Sequence, residues 1–298
     1  MPNRSSNHAH NLGQISLVGA GFFYALYSVF SRIIGPYFAT FYQTWSRSLL
    51  VFGFFLAVGL VSHAYTPIKK QHRRWFAIVS LSAALTTAPY YIAILHMSLG
   101  TTMFVFYAVS LITSICLGTL YFKEKVTPVK LTAFGLGILG IVFLFIDSVK
   151  IYALIYILAA AFAGLMYSFS SVFSKKISSD YSNIHISTFN TAVILVVNLI
   201  LSLLVHEVWY TNFISVSWLT NVAYAVATVC TIVLVIYGFK RTEAQIGSLL
   251  LLAELPFVIL FGWLFYGEVP TLLTIVGGCL IVVAMALPNM RKPAPQLA

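Results

Sequence analysis

The sequence predicts an all-α integral membrane protein in which ten transmembrane helices form two inverted five-helix repeats. Composition, the length of the apolar stretches and an internal repeat together predict this fold class. Hydrophobic residues make up 60% of the 298 residues and charged residues 8%, whereas a soluble domain carries about 25% charged residues. Helices are expected because lipid leaves backbone polar groups no other partner, and a membrane β-barrel would instead show alternating strands of roughly ten residues.

Ten apolar stretches approach or exceed the roughly 20 residues that a helix needs to cross a bilayer. The first is too long for the core of a signal peptide and matches the sixth in the repeat, so we interpret it as a retained helix. The residues after Pro288 predict a short disordered end, and no soluble domain is expected. The predicted spans are 13–34, 38–61, 75–98, 100–122, 127–147, 150–173, 184–207, 216–239, 245–266 and 270–289.

The second five stretches repeat the first five. Residues 24–32 (YALYSVFSR) match residues 167–175 (YSFSSVFSK) at an offset of 143, which is 167 minus 24. Residues 117–127 (LGTLYFKEKVT) match residues 261–271 (FGWLFYGEVPT) at an offset of 144, which is 261 minus 117. An odd number of spans per repeat makes the halves cross the membrane in opposite directions, as in the inverted repeats of secondary transporters. We therefore expect five-helix repeats at 1–148 and 149–298.

The distribution of basic residues predicts the orientation. When loops are assigned alternately to two sides, 14 of the 17 Lys and Arg residues fall on the side that holds both termini; Arg32 and Lys150 fall on the other, and Arg47 lies within a span. Cytoplasmic loops are the basic ones, so we expect a multi-pass inner (cytoplasmic) membrane protein with cytoplasmic termini. The net charge of +10 thus reflects solvated loops and predicts no nucleic-acid partner. The 14 residues are Arg4, Lys69, Lys70, Arg73, Arg74, Lys123, Lys125, Lys130, Lys175, Lys176, Lys240, Arg241, Arg291 and Lys292.

Patterns that could indicate an enzyme, a cofactor or a metal have simpler interpretations. Cys116, Cys230 and Cys279 all lie within spans, and their spacing is unlike that of a zinc site. The G-x-G-x-x-G pattern at 135–140 lies inside span five, whereas a dinucleotide site needs a preceding strand and a soluble βαβ unit. Glycines at such positions instead allow close helix packing in lipid. No catalytic residue, metal or cofactor is predicted, and the protein is not expected to be an enzyme.

Two formally charged side chains fall near the middle of the membrane, Glu254 in span nine and Arg47 in span two. Each costs about 2.5–3.5 kcal/mol on insertion scales, so each should face a cavity or a partner. Pro256 should loosen the helical turn that holds Glu254. A carboxyl group near apolar surface can exchange protons near neutral pH, which makes Glu254 a candidate for proton coupling. A structural ion pair between Arg47 and Glu254 is the alternative.

Several aromatic side chains could contact a substrate near the midplane. Tyrosines around a central cavity would suit an aromatic substrate, or a cationic one through cation–π attraction. His96, near the end of span three, is a second candidate for proton coupling, although an interfacial histidine without a role is the alternative. The candidate tyrosines are Tyr24 and Tyr167, which occupy repeat-related positions, Tyr90 and Tyr91, which follow a possible kink at Pro89, and Tyr107 in span four.

The chain resembles the drug/metabolite transporter superfamily, and within it the EamA-type transporters. The resemblance rests on two inverted groups of five spans and on the repeated pattern G-x-L-x-x-x-E-x-x-T before a Gly-rich span, at 118–127 and 262–271. It implies that Glu124, Thr127, Glu268 and Thr271 pack or cap helix ends. Pro256 matches a proline common in the ninth span of the family, whereas span four has Ile112 at the equivalent position.

The resemblance also implies a function. We expect a secondary transporter, monomeric or homodimeric, that moves a small organic metabolite (an amino acid or a related amine or nucleobase-like compound) across the inner membrane by alternating access. Its site should lie near the midplane between spans one to four and spans six, eight and nine, and transport should be coupled to protons or to exchange. The alternative is a membrane scaffold or receptor that transports nothing and has a packed interior.

Overall fold

The computed structural model describes residues 4–148 and 153–290, which form α-helices joined by short turns and loops, with no strand among them. A 3₁₀ turn at Ile146–Ser148 follows the fifth helix. The α-helices are α1 (Arg4–Ile34), α2 (Thr40–Val61), α3 (Lys70–His96), α4 (Leu99–Phe122), α5 (Pro128–Phe145), α6 (Leu154–Ile177), α7 (Asn183–Leu204), α8 (Val216–Arg241), α9 (Ala244–Leu251), α10 (Glu254–Tyr266) and α11 (Leu272–Met290).

These helices make the ten predicted spans, because α9 and α10 together form span nine. Within the described residues, nine spans are long and apolar enough to cross a membrane, and the tenth is a shorter apolar helix at Leu272–Pro288. The whole of α11 has 19 residues, which rise about 28 Å and so nearly match a hydrocarbon core about 30 Å thick. The predicted fold class is therefore confirmed.

Several span boundaries differ from the prediction, most of all at α1, which begins at Arg4 rather than at 13; two of the others have a clear physical reason. The helix α3 begins at Lys70 rather than at 75, since its polar first turn lies beyond the apolar stretch and can be hydrated while helical. The helix α6 ends at Ile177 rather than at 173, because Lys175 and Lys176 are favourable in a last turn, next to the negative end of the helix dipole. Lys150, expected in a loop opposite the termini, lies outside the described residues.

Side-chain caps begin five of the described helices. In each, a Ser or Thr hydroxyl group accepts a hydrogen bond from the backbone N–H three residues further on; the capping residues are Ser98, Thr127, Ser182, Ser215 and Thr271. Such a cap satisfies one of the N–H groups that a helix start leaves without an intrahelical partner. The family-derived expectation that Thr127 and Thr271 lie at helix ends and cap them therefore agrees with the structure.

The packing partners of the helices reflect the internal repeat. The helix α1 packs on α8, and the equivalent pair from the other half, α6 and α3, packs in the same way. The helix α2 packs on its own equivalent α7, and α5 packs on its equivalent α11. Each contact therefore has its counterpart when the halves are exchanged, as expected of two repeats related by a pseudo-two-fold axis.

Glycines allow the closest helix crossings. A Cβ atom on Gly21 of α1 would lie 2.8 Å from the backbone nitrogen of Glu254, and one on Gly164 of α6 would lie 2.3 Å from the carbonyl oxygen of Phe106 in α4. Gly140 of α5 makes a similar close approach to the backbone of Gly277 in α11. The glycine pattern at 135–140 thus includes a residue that packs helices closely, which small residues permit in lipid.

Candidate functional site

Span nine is interrupted just before Glu254. The helix α9 ends at Leu251, and α10 begins at Glu254. The backbone N–H groups of Leu252 and Ala253 bond to carbonyls three residues back, as in a 3₁₀ turn. Pro256 has no N–H to donate, so the ordinary α-helical ladder cannot continue through this segment. The break places the Glu254 carboxyl in the first turn of α10, where the helix dipole favours a negative charge.

Tyrosines from four other spans surround the Glu254 side chain. The Tyr107 hydroxyl of α4 lies within hydrogen-bonding range of the Glu254 carboxyl. The hydroxyl groups of Tyr24, Tyr90 and Tyr167 lie close enough to interact with it electrostatically. The rings of Tyr24 and Tyr167 meet edge to face, with their centroids 6.3 Å apart. The fold thus brings four of the predicted site tyrosines together around the predicted carboxyl group of Glu254.

Arg47 occupies a second polar position in the same interior. Its guanidinium carbon lies 3.9 Å from the ring centroid of Tyr224 and 5.5 Å from that of Tyr27. Tyr91 is close enough to interact with it electrostatically. The Nη1 atom of Arg47 is buried without a hydrogen-bond partner. A buried N–H group of this kind carries a desolvation cost that an acceptor on a bound molecule would relieve.

The structure does not form the ion pair considered as an alternative for Arg47 and Glu254. Among the ion pairs of the described residues, neither side chain is a member. Arg47 instead rests on aromatic faces, which attract a cation through the ring quadrupole. Replacing either residue therefore would not leave the other as the broken half of a salt bridge.

A continuous path of tyrosine rings connects the two charged groups. The Tyr27 ring, next to Arg47, lies 5.2 Å from the Tyr24 ring, next to Glu254, measured between centroids. On α3, Tyr90 belongs to the Glu254 surroundings and Tyr91 to those of Arg47, and their rings are 6.2 Å apart. We call this arrangement the tyrosine site; it comprises Glu254, Arg47, Tyr24, Tyr27, Tyr90, Tyr91, Tyr107, Tyr167 and Tyr224.

The tyrosine site is narrow in this conformation. Glu254, Arg47, Tyr24 and Tyr167 are half-buried, so each keeps some surface that neighbouring side chains do not cover. Two cavities elsewhere, of about 490 and 530 Å³, lie beside the loop at 35–39 and in a groove near Pro67 and Phe189. Neither of these two cavities includes a residue of the tyrosine site.

His96 lies outside the tyrosine site, and Pro89 does not break the helix that contains it. His96 is exposed at the end of α3, where its ring stacks on Tyr156, with centroids 4.2 Å apart, and bonds to the carbonyl of Ile92 rather than to Glu254. Pro89 does not interrupt α3, which continues as one helix from Lys70 to His96. The interrupted helix is span nine, as the position of Pro256 indicated.

Sequence reasoning did not single out Tyr27 and Tyr224, the two rings that hold Arg47. Tyr27 lies three residues after Tyr24, so both occupy one face of α1, and this spacing was a usable signal. Tyr224 had no comparable signal, because its role depends on how α8 packs against α1 and α2. Its hydroxyl accepts a hydrogen bond from Ser31 at 3.2 Å.

Each half of the chain matches the same family of known proteins. The model of the EamA-like transporter family matches it twice, at residues 11–146 and 154–290, one match for each half. The chain belongs to this family, whose members are membrane transporters of the drug/metabolite type and not enzymes. It is consequently a multi-pass membrane transporter, and the alternative of a non-transporting scaffold is set aside.

Its fold is also found among solved structures. A protein whose crystal structure carries no functional name superposes on this chain with a TM-score of 0.78 at 18% sequence identity, over 97% of this chain and 98% of that one. At this identity the likeness concerns the fold alone. No curated protein matches the sequence.

Proposed function

We propose that this protein is a secondary transporter for a small zwitterionic metabolite of the amino-acid class, which it binds at the tyrosine site. The observation that carries this proposal is the presence of two separate charged groups in one interior lined by tyrosines: Arg47, whose Nη1 atom has no hydrogen-bond partner, and the carboxyl group of Glu254. The two groups are not neutralised by each other. They offer opposite charges to a molecule that carries both.

The chemistry of the two ends favours a defined orientation of the substrate. The Nη1 group of Arg47, which has no partner, suits a carboxylate, which a guanidinium binds through charge-assisted hydrogen bonds. Glu254 and the faces of the neighbouring tyrosines suit an ammonium group, by ion pairing and by cation–π attraction. Related amines and nucleobase-like compounds that expose a similar donor and acceptor pair fit the same arrangement less completely.

Alternating access is the mechanism that this arrangement supports. The site lies between the two repeats, where rocking of one group of helices against the other would expose it to each side in turn. Glu254 is our candidate for proton coupling, because protonation would remove the charge that holds a substrate ammonium. Exchange of one substrate for another is the alternative form of coupling.

The proposal includes a location in the inner membrane with both termini in the cytoplasm, as a monomer or homodimer in contact with lipid. The loops at 62–69, 123–127, 178–182 and 242–243 all lie at the end of the bundle where α3 and α9 begin. We call this the basic end, because these loops and the helix ends beside them hold most of the Lys and Arg residues. The positive-inside rule then assigns the basic end to the cytoplasm.

A transport assay in proteoliposomes tests the proposal. A thermal-shift screen of metabolites first selects an amino acid, and its uptake is compared with that of the decarboxylated amine and the N-acetylated acid of the same side chain. We expect the wild type to transport the zwitterion best. Glu254→Gln should no longer prefer the zwitterion to the N-acetylated acid, because it has lost the partner of the ammonium group. Arg47→Gln should no longer prefer the zwitterion to the decarboxylated amine, because it has lost the partner of the carboxylate.

The control is Asp147→Asn, which removes a charge from an exposed 3₁₀ turn outside the site. It should transport like the wild type. Stable Glu254→Gln protein that transports the zwitterion at the wild-type rate would refute the role of this carboxyl. Failure of every zwitterion in the screen, together with transport of an uncharged compound, would refute the substrate class.

A further inference from the structure

Two copies of one local structure end spans four and nine. At the end of α4, Lys123 has a φ of 53°, and the N–H of Glu124 donates to the carbonyl of Gly118 at 3.0 Å. At the end of α10, Gly267 has a φ of 65°, and the N–H of Glu268 donates to the carbonyl of Gly262 at 3.1 Å. Gly118 and Gly262 leave room for the carboxylate to fold back onto its own helix. A Cβ atom on Gly118 would lie 2.7 Å from Glu124 Oε2, and one on Gly262 would lie 2.9 Å from Glu268 Oε2.

The two carboxylates nevertheless have different partners. At the basic end, Glu124 accepts hydrogen bonds from the backbone N–H groups of Ala244 and Gln245, at 2.6 and 3.0 Å, and so caps the start of α9. It also accepts a hydrogen bond from Lys175 of α6 at 3.1 Å. The Glu124 side chain is only 6% exposed. One carboxylate thereby holds together the end of span four, the start of span nine and the end of span six.

Other side chains strengthen the closure at the basic end. Lys130 of α5 is buried, and its ammonium group contacts Glu243 and donates to the side-chain oxygen of Gln245. Below this polar layer, one apolar cluster joins both repeats through residues such as Leu17, Phe173 and Leu250. The basic end is therefore sealed by both polar and apolar contacts in this conformation.

At the opposite end of the bundle, which holds the loops at 35–39, 97–98, 205–215 and 267–271, the equivalent contact is loose. Glu268 pairs with Arg32 of α1 at 2.6 Å, and both side chains are more than half exposed, at 55% and 54%. Arg32 is the repeat equivalent of Lys175, since 175 minus 143 is 32. Buried apolar residues toward this end of the bundle form three small clusters around Ile34, Ala25 and Ala93, and part of a larger cluster that includes Phe106 and Ile141.

From this comparison we infer that Glu124 and Glu268 are reciprocal gate residues of the transport cycle. When the basic end opens, Glu124 releases the start of α9, and Glu268 closes the opposite end by accepting hydrogen bonds from the N–H groups of Gly100 and Thr101, the second of which donates to the Ser98 hydroxyl in the present state. These two residues are the repeat equivalents of Ala244 and Gln245, at an offset of 144. The exchange uses a helix end that is already built in both repeats, and it requires the Thr101 N–H to change its acceptor from Ser98 to Glu268.

This inference rests on the proposed alternating access and is independent of the substrate. It deepens the proposed function by naming the side chains that bias the equilibrium between the two states. Capping by an ionised carboxylate is a charge-assisted contact, and its loss destabilises only the state in which it is made. A change at Glu124 and a change at Glu268 should therefore shift the equilibrium in opposite directions.

Distances between spin labels test the inference on the full-length protein in lipid nanodiscs, without substrate. After replacement of the three native cysteines, labels at Leu95 and Val269, both exposed at the opposite end, report whether that end is open or closed. The wild type should show mainly the longer distance. Glu124→Gln should raise the ratio of short to long distances by about tenfold or more. Glu268→Gln should lower that ratio.

A second, milder variant keeps the inference testable if Glu124→Gln does not fold. Thermal unfolding shows whether each variant is folded. Lys175→Gln removes only one partner of Glu124, so it should shift the ratio in the same direction by a smaller factor. An unchanged ratio in folded Glu124→Gln, or a rise in Glu268→Gln, would overturn the inference. If the ratios shift as expected but no metabolite is transported, the proposed function fails and the inference about the gate residues stands. If a metabolite is transported but the ratios do not shift, the proposed function stands and the inference about the gate residues fails.

Discussion

The crossing of α6 over α4 offers a direct test of how the structure positions the tyrosine site. In Gly164→Ala, the new methyl group would lie 2.3 Å from the carbonyl oxygen of Phe106, whereas ordinary contacts of a Cβ begin at 3.4 Å. The shortfall, 3.4 minus 2.3, means that the two helices must separate by about 1.1 Å. Phe106 precedes Tyr107, whose hydroxyl group lies beside the Glu254 carboxyl, so the separation should also displace that hydroxyl group.

The expected magnitude follows from comparison with Gly135→Ala. Gly135 lies in α5, where a Cβ atom would have nothing within 4 Å of it, so its replacement adds no crowding. Both substitutions gain the higher helix propensity of alanine, about 1 kcal/mol. That gain cancels when the two variants are compared, which leaves the cost of overpacking, about 1–3 kcal/mol, as the difference in their free energies of unfolding.

Unfolding of the purified variants in mixed micelles, titrated with a denaturing detergent, would measure this difference. Gly135→Ala should be as stable as the wild type or more so. Gly164→Ala should be less stable than Gly135→Ala by the overpacking cost and should bind the transported metabolite more weakly. Equal stability of the two alanine variants would refute the close crossing of α4 and α6, and with it the proposed support of Tyr107.

Three further predictions concern topology, recognition and coupling. Single cysteines at Ser179 and Thr211, both exposed, should be labelled from opposite sides of the membrane by an impermeant reagent, and labelling from one side would contradict ten spans. Arg47→Lys keeps the charge but loses the planar stacking on tyrosine, so substrate affinity should fall by roughly tenfold in a binding titration; unchanged affinity would remove the stacked guanidinium from recognition. An imposed proton gradient should alter transport by the wild type and by His96→Asn, but not by Glu254→Gln, as measured by uptake at fixed substrate; a retained response in the last variant would exclude Glu254 as the coupling group.

The fold was predictable from sequence because lipid imposes simple rules. Length and apolarity determine which segments span the membrane, and two separate matches at nearly the same offset, 143 and 144, reveal the repeat. The helix boundaries were less predictable. The start of α3 at Lys70 depends on hydrated polar turns outside the membrane, which an apolar count does not detect.

The site was predictable only in part. The cost of a charge in lipid identified Glu254 and Arg47, and the proline at 256 indicated the break in span nine. Whether the two charges pair depends on the relative rotation of α2 and α10, which local sequence does not encode. The same limit applies to Tyr224, whose contact with Arg47 arises from the packing of helices distant in sequence.

The two halves share a scaffold but differ at the residue that matters most for chemistry. Ser110 stands where the other repeat has Glu254, and it bonds across to Ser168 of α6 at 2.9 Å, inside a helix that continues unbroken from Leu99 to Phe122. Its hydroxyl group is therefore used to join two helices, whereas the Glu254 carboxyl lies at a helix break and faces the tyrosines. Repetition of the helix ends at Glu124 and Glu268 allows either end of the bundle to close. Divergence between Ser110 and Glu254 makes the site itself asymmetric, so that a substrate with two different ends can keep one orientation while access to the site alternates.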